Sequence, residues 1–234
     1  MTTMQIVGVA SPGSRELARV DIAHGQHPKL AFWRQGWVIQ ELLSAQMVDG
    51  EVVLTARVTH RTPRSRPPRM KYRGADPDLV VVPGEKPVLN QRIAAYALVR
   101  SERGLLGTEC SDRTAVPGLW QLPGGGLDPD ESPAEAVIRE VYEESGQQIR
   151  INRLLDFQSD HWVGRAPNGV LEDFHALRIF YSATCCEPTE PVVVDVDGTT
   201  ERSEWVPLWH WRSLPWTSGS RSILDKYGTL VPAH

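Results

Sequence analysis

The stretch GGGLDPDESPAEAVIREVYEESG, residues 124–146, constrains this chain more than any other part of its sequence. Ser132 is followed three residues later by a glutamate, with Pro133 between them, which is a capping box with proline at the first helical position. Gly146 is placed to form a left-handed C-terminal cap. The stretch therefore predicts a glycine-rich turn followed by a helix from about Pro133 to about Ser145.

The predicted helix has one apolar face and one acidic face. Its apolar residues recur at i, i+3, i+4 and i+7 and predict a buried stripe of Ala134, Val137, Ile138 and Val141. Glu140, Glu143 and Glu144 lie at i, i+3 and i+4, so their side chains meet on a neighbouring face. A like-charge pair on a helix costs only about 0.2–0.5 kcal/mol, so these carboxylates alone also fit a solvent-exposed acidic face. Hard divalent cations such as Mg2+ bind carboxylates together with the phosphate oxygens of a substrate.

The spacing of the whole stretch favours the metal site. Its glycine and charged positions match the Nudix box, in the order Gly125, Glu131, Arg139-Glu140, Glu143-Glu144 and Gly146. The chain thus resembles Nudix hydrolases, strongly over the box and more weakly over about residues 91–214. One position departs from the pattern, because Gln147 stands where the family usually has an aliphatic residue. The departure concerns packing just past the helix, and the acidic positions are intact.

The resemblance implies both a fold and an activity. The fold is a Nudix-type α/β/α sandwich with a mixed β-sheet, and strands on both sides of a helix also favour a layered α/β domain. The implied reaction is hydrolysis of a diphosphate linkage in a nucleoside diphosphate derivative. Its candidate substrates are ADP-ribose and other nucleotide sugars, dinucleoside polyphosphates and nucleoside triphosphates. The implied cofactor is Mg2+, with Mn2+ as an alternative.

The resemblance also implies roles for the residues of the box. Arg139 is expected to pair with Glu131 and to orient the acidic face. The general base is left open between Glu144 and Glu140, since either carboxylate could contact a metal-bound water. The expected metal ligands are Glu140, Glu143, Glu144 and the backbone carbonyl around Gly124.

An acidic segment late in the chain supplies further candidates for the site. Residues 197–204 are predicted to form a loop, and Glu201 and Glu204 lie in it just before a tryptophan. In many relatives a glutamate on a later loop completes the site, so these two are candidates for an additional base or ligand. Charged loop residues usually face solvent, which is the alternative for both.

A second predicted loop, residues 158–169, is a candidate for substrate recognition. Trp162 could stack on a purine and Arg165 could clamp a phosphate, although an aromatic residue at this position could equally serve in packing. His161 and His175 could titrate near neutral pH, but the sequence alone gives neither of them a role.

The first third of the chain lies outside the resemblance. Residues 4–62 predict a small β-rich unit, in which Asp49-Gly50 indicates a hairpin turn. Residues 57–73 are basic and proline-rich, which fits either a phosphate- or RNA-contacting arm or a solvated linker. The predicted division is an N-terminal unit at residues 1–85 and a Nudix hydrolase domain at residues 86–234.

The composition of the chain limits which partners it is expected to bind and in which cellular compartment it is expected to work. The 234 residues carry a formal net charge of −4, which gives no general attraction to nucleic acid or to anionic membranes. The three cysteines have no metal-binding spacing, and with no recognisable signal peptide they favour a cytoplasmic protein. The expected partner is a small nucleotide, with no membrane and no nucleic acid, and a homodimer is a further hypothesis.

Two other functions compete with hydrolysis. A catalytically silent, nucleotide-binding regulatory module would be favoured by loss of box carboxylates, yet all of them are present. Isomerase chemistry on isopentenyl diphosphate, which some relatives perform, would need a catalytic cysteine, for which Cys110 is a weak candidate.

Overall fold

The computed structural model describes residues 3–68, 74–75, 79–166, 168–195 and 198–228. It has eleven strands and three α-helices within those residues, so the predicted α/β class is confirmed. The helices are α1 (Pro28–Arg34), α2 (Pro133–Ser145) and α3 (Ser218–Tyr227), with a short 3-10 helix at Trp211–Ser213. None of the helices in the described ranges is long and apolar enough to cross a membrane. The strands are β1 (Thr3–Val9), β2 (Glu16–Asp21), β3 (Trp37–Val48), β4 (Glu51–His60), β5 (Val88–Ser101), β6 (Gly104–Cys110), β7 (Trp120–Gln121), β8 (Gly124–Gly126), β9 (Arg150–Arg165), β10 (Leu171–Thr184) and β11 (Thr200–Val206).

The N-terminal strands form a four-stranded mixed sheet in the order β2-β1-β4-β3. Strand β1 is parallel to β4, whereas the β1–β2 and β3–β4 pairs are antiparallel. Asp49 and Gly50 join β3 to β4 with φ values of 50° and 79°, which a two-residue type I′ turn requires at both positions. The predicted hairpin is therefore confirmed. The inward positions of β4 alternate along the strand and are buried, at Val52, Leu54, Ala56 and Val58.

The remaining strands form a seven-stranded sheet. Its main order is β11-β6-β5-β10-β9, with β7 paired to β6 and β8 paired to β5. Strand β8 pairs antiparallel with β5 through Ala94–Tyr96, so the glycine-rich turn is itself part of the sheet. This pairing places the start of the box at a defined position beside β5.

The chain packs into two compact units that are not continuous in sequence. Unit 1 comprises residues 1–93, 127–133 and 157–178, and unit 2 comprises residues 94–126, 134–156 and 179–234. Unit 2 contains α2 from Ala134 onward, α3 and an apolar core around Trp211, Leu98 and Leu224. The predicted division near residue 86 treats each domain as one continuous segment, and it stays a prediction.

Helix α2 has the predicted bounds, but its buried face differs from the predicted stripe. Ile138 is 44% exposed, whereas Ala136 is fully buried. The buried positions are Pro133, Ala136, Val137, Val141, Glu144 and Ser145. The prediction of Ile138 as a core residue was wrong because a spacing of i, i+3 and i+4 fits two adjacent faces, and packing selected the one that carries Glu144.

Two predicted loops are strands. Strand β9 continues to Arg165, so most of residues 158–169 is not a loop. Strand β11 begins at Thr200, so Glu201 and Glu204 lie on a strand. Several basic-segment residues (Arg69, Lys71, Tyr72 and Arg73) and Asp197 lie outside the described residues.

Candidate active site

Two glycines before α2 stand where a side chain would collide with its neighbours. Gly124 has a φ of 141°, and a Cβ there would lie 2.2 Å from the carbonyl oxygen of Ala95. A Cβ on Gly125 would lie 2.4 Å from Oε1 of Glu140. The first glycine is therefore needed for the pairing of β8 with β5, and the second makes room for a carboxylate of the helix.

Glu144 is the buried carboxylate of the acidic face, with only 6% of its surface exposed. Its Oε2 accepts a hydrogen bond from the backbone N–H of Gly124 at 3.0 Å, and its Oε1 accepts one from the hydroxyl of Thr200 at 2.6 Å. Burial raises the pKa of Glu144 to about 8, although both hydrogen bonds oppose the shift. The nearby carboxylates of Glu140 and Glu143 raise the pKa further. Glu144 can therefore exchange a proton near neutral pH.

Arg139 holds the other two carboxylates together. Its Nη1 lies 3.2 Å from Oε1 of Glu140 and 3.0 Å from Oε2 of Glu143, and its Nη2 donates to the carbonyl oxygen of Gly126 at 3.0 Å. The side chains of Arg139, Glu140 and Glu143 are 27%, 17% and 37% exposed, so this part of the site is open to solvent. One guanidinium nitrogen thus compensates two like charges on adjacent turns of the helix.

Glu131 lies in the segment before α2. Its Oε2 accepts a hydrogen bond from the backbone N–H of Asp128 at 2.9 Å, which closes the turn that leads into the helix. The expected ion pair between Glu131 and Arg139 stays a prediction.

Strand β11 contributes residues that the sequence analysis missed. Besides the Thr200 contact, the hydroxyl of Ser203 donates to the backbone carbonyl of Glu144 at 2.6 Å. Thr200 is 56 residues from Glu144, so no local pattern indicates this contact. By contrast, Glu201 and Glu204 are exposed, and Glu204 pairs with Arg202. The proposed roles of these two glutamates as base or ligand stay predictions.

The two residues predicted to recognise substrate belong to unit 1, where each has a protein partner. The ring centroids of Trp162 and Phe174 lie 4.7 Å apart. Arg165 donates to both carboxylate oxygens of Glu85, at 2.9 and 2.7 Å, and to the carbonyl oxygens of Gly169 and Val80. This pairing raises the pKa of Arg165 and engages both of its terminal nitrogens. Their roles in binding substrate stay predictions.

The NUDIX domain family model matches residues 90–227, more than half of the chain. The chain belongs to the Nudix hydrolase family. Hydrolases of this family act on pyrophosphate bonds, so the protein is an enzyme of that class. Nudix hydrolases generally use divalent metal ions. The site offers carboxylate oxygens, some of which are exposed to solvent. Such ligands suit a hard cation that prefers oxygen.

Relatives of this Nudix hydrolase include two enterobacterial proteins. Nucleoside triphosphatase NudI of Klebsiella pneumoniae (strain 342) is 26% identical over 145 residues, which cover 61% of this chain and all of the relative. NudI of Enterobacter sp. (strain 638) is 34% identical over 96 residues, which cover 40% of this chain and 68% of the relative. The structure of a MutT NUDIX hydrolase from Burkholderia pseudomallei is 29% identical, covers 58% of this chain and 97% of its own, and has a TM-score of 0.44.

A third relative matches over a much shorter stretch. Human diphosphoinositol polyphosphate phosphohydrolase 2 is 51% identical over 39 residues, which cover 17% of this Nudix hydrolase and 22% of the human protein. The higher identity is confined to a short segment, so it carries less information about the rest of the molecule than the NudI matches do.

The box of this Nudix hydrolase contains a buried amide at the position that departs from the family pattern. Gln147 is 1% exposed. Its Nε2 donates to the carbonyl oxygen of Ser145 at 3.1 Å and to the hydroxyl of Thr189 at 2.9 Å. Its Oε1 accepts a hydrogen bond from the backbone N–H of Thr189 at 3.0 Å. The position is thus as buried as an aliphatic residue would be, with both ends of the amide hydrogen-bonded.

Proposed function

We propose that this Nudix hydrolase is a Mg2+-dependent nucleoside triphosphatase that cleaves a phosphoric anhydride bond, with Mn2+ as an alternative cofactor. The observation that carries the proposal is the buried Glu144 beside Glu140 and Glu143 on one helix, with Gly124 and Thr200 hydrogen-bonded to its carboxylate. Among the candidate substrates of the family, nucleoside triphosphates are favoured because the NudI relatives carry that activity in their names and one match covers the whole relative.

In this proposal the three glutamates bind the cation, and one of them also accepts a proton. Glu140 and Glu143 lie at the open side of the site, where both contact Arg139, and they would hold the cation together with Glu144 and the carbonyl around Gly124. When bound, a divalent cation neutralises the charge of the phosphates and orients the attacking water. Arg139 remains beside the acidic face and keeps it oriented through Gly126.

Glu144 is the proposed general base. A base works best when its pKa lies near the working pH, and in the metal-free chain burial raises the pKa of Glu144 to about 8. Gly124 and Thr200 fix its two oxygens, so a proton taken from water is received at a defined position. Glu140 is the alternative base, and Glu201 and Glu204 are further candidates for a base or ligand.

The test measures hydrolysis of a panel of nucleoside triphosphates, ADP-ribose, nucleotide sugars and dinucleoside polyphosphates with Mg2+ or Mn2+, with identification of the products. Glu144→Gln should lower kcat by about 10²–10⁴-fold, the usual contribution of a general base. Glu143→Gln should weaken metal activation, and Glu135→Gln, on an exposed position of the same helix, is the matched control. Failure of the wild-type protein to hydrolyse any member of the panel would favour the silent nucleotide-binding module.

The isomerase alternative is disfavoured by the surroundings of Cys110. Burial, together with the charge of Glu144, raises the pKa of the Cys110 thiol to about 11. The thiol is then protonated near neutral pH and is a poor nucleophile or acid–base group.

We also propose a cytoplasmic location and a homodimer. The three cysteines are free thiols, which fits a reducing compartment. Light scattering on the purified protein tests the dimer, and a monomer at all concentrations would contradict it.

A further inference from the structure

In unit 1, two histidines contact the same carboxylate oxygen of an aspartate. The Nε2 atom of His24 lies 3.0 Å from Oδ1 of Asp173, and the Nε2 atom of His161 lies 2.5 Å from the same oxygen. The rings of His24 and His161 are nearly perpendicular, with centroids 5.3 Å apart. His24 follows β2, His161 lies on β9 and Asp173 lies on β10, so three separate segments meet here.

The surrounding residues hold this cluster in place. Gly25 has a φ of 70°, and a Cβ there would lie 3.0 Å from the ring of His161, so the turn after His24 packs directly on that imidazole. The backbone N–H of Gly25 donates to Nδ1 of His175 at 3.1 Å. His175 is fully buried and its Nε2 lies 2.9 Å from the hydroxyl of Ser159. The turn that carries His24 is therefore anchored to strand β10.

The cluster has the composition of a transition-metal site. One ligand atom from each of His24, His161 and Asp173 lies within 4.8 Å of the others. Imidazole nitrogens suit Zn2+, Cu2+, Fe2+ and Ni2+, and catalytic zinc sites commonly have three protein ligands and one open position. The side chains of His24, His161 and Asp173 are 22%, 27% and 22% exposed, so solvent or a fourth ligand can reach the site.

The tautomer of His24 does not oppose metal binding. Its Nδ1 is buried and has no hydrogen-bond partner within the described residues. With the ring proton on Nδ1, no hydrogen bond is broken at that atom. The lone pair of Nε2, which faces Oδ1 of Asp173 at 3.0 Å, can then bind a cation in place of that contact.

We propose that His24, His161 and Asp173 bind one divalent transition-metal ion, best matched by Zn2+, with an open position for water or an anionic oxygen ligand. This site differs in chemistry from the carboxylate face of α2, because imidazole ligands select borderline cations whereas carboxylates suit Mg2+. The proposal is independent of the hydrolytic function.

The test is isothermal titration of the full-length, metal-stripped protein with Zn2+ in a millimolar excess of Mg2+, which occupies hard-oxygen sites. One Zn2+ should bind per chain. His161→Gln and Asp173→Asn should each weaken binding by more than about 100-fold, since loss of an outer-shell partner alone typically costs 10–100-fold. His60→Gln, an exposed histidine of the same unit, should bind Zn2+ like the wild type, as should Cys186→Ser and Glu143→Gln.

A second measurement covers the case in which a ligand variant does not fold. Thermal unfolding of the wild-type protein should shift upward by about 5–10 °C at a Zn2+ concentration about 100 times the Kd. Wild-type protein that shows neither this shift nor binding in the titration would overturn the proposal. It would also be overturned if folded His161→Gln and Asp173→Asn bound Zn2+ as tightly as the His60→Gln control.

Discussion

The backbone N–H of Gly124 donates a hydrogen bond to the buried carboxylate of Glu144, 20 residues further along the chain, at 3.0 Å. This contact joins the glycine-rich turn to the last turn of α2 and fixes one oxygen of the carboxylate. The other oxygen is fixed by Thr200 from β11. The protonation state of Glu144 is therefore coupled to the folding of three segments of unit 2.

The stability of the metal-free protein should fall as the pH rises through the range set by Glu144. Its carboxyl has an ordinary pKa of 4.5 and a pKa of about 8 in the folded chain. Between these values the folded chain retains a proton that the unfolded chain has released, so the free energy of unfolding decreases with pH by up to about 1.4 kcal/mol per unit. Below about pH 4.5 and above about pH 8 this contribution is constant.

Urea denaturation at several pH values, in the presence of a chelator, measures this dependence. Glu144→Gln is neutral throughout and should lose the slope that Glu144 contributes, whereas Glu135→Gln should retain it. An identical slope in Glu144→Gln and the wild type would contradict the raised pKa.

Thr200→Val should raise the pKa of Glu144 further. The hydroxyl of Thr200 stabilises the charged carboxylate, and leaving a buried acceptor without its donor typically costs about 1–3 kcal/mol. If Glu144 is the base, the acidic limb of the pH profile of kcat/KM should move to higher pH. Thr200→Ser retains the hydroxyl and should keep the wild-type profile, so a shift of equal size in both variants would argue against the hydrogen bond as its cause.

Arg139→Lys should lower hydrolytic activity by about 10–100-fold, the usual effect of losing an orienting contact near a metal site. Arg139 reaches two carboxylates with Nη1 and the carbonyl oxygen of Gly126 with Nη2, and a lysine has one nitrogen for all three. Steady-state kinetics at varied Mg2+ concentration measure the effect, and Arg150→Lys, at an exposed position in the same unit, is the control. Wild-type activity in Arg139→Lys would show that the charge alone suffices.

Gly124→Ala and Gly125→Ala should have different effects, the first mainly on the stability of the fold and the second mainly on activity. Gly124→Ala places a Cβ 2.2 Å from a backbone oxygen at a φ of 141°, so it should destabilise the fold by at least about 1–3 kcal/mol. Gly125→Ala meets the end of the Glu140 side chain, which can move, so it should lower metal-dependent activity with a smaller loss of stability. Denaturation and kinetics on both variants provide the comparison, and equal losses of stability would contradict it.

The local features of the fold were predictable from the sequence. The helix bounds that Ser132-Pro133 and Gly146 predict are those of α2, and Gly146 adopts the predicted left-handed conformation with a φ of 68°. The Asp49-Gly50 turn was also predictable, because it depends on neighbouring residues. The same is true of the Nudix box, whose positions lie within one short stretch.

Contacts between distant segments were not predictable in this way. Thr200 reaches Glu144 from another strand, and His24 reaches Asp173 across 149 positions of the chain, so neither contact leaves a local pattern. Helical periodicity defines a buried stripe only to within about one residue, so the sequence alone does not show that Ile138 is exposed.

The buried amide of Gln147 has a consequence for engineering relatives of this enzyme. Because Thr189 supplies partners to both ends of Gln147, the end of α2 and the segment at residue 189 form a matched pair. Transplanting this Nudix box into a scaffold that lacks the residue 189 segment would leave a polar group inside the protein without partners. The exchangeable module therefore includes Thr189, which lies well outside the motif by which the family is recognised.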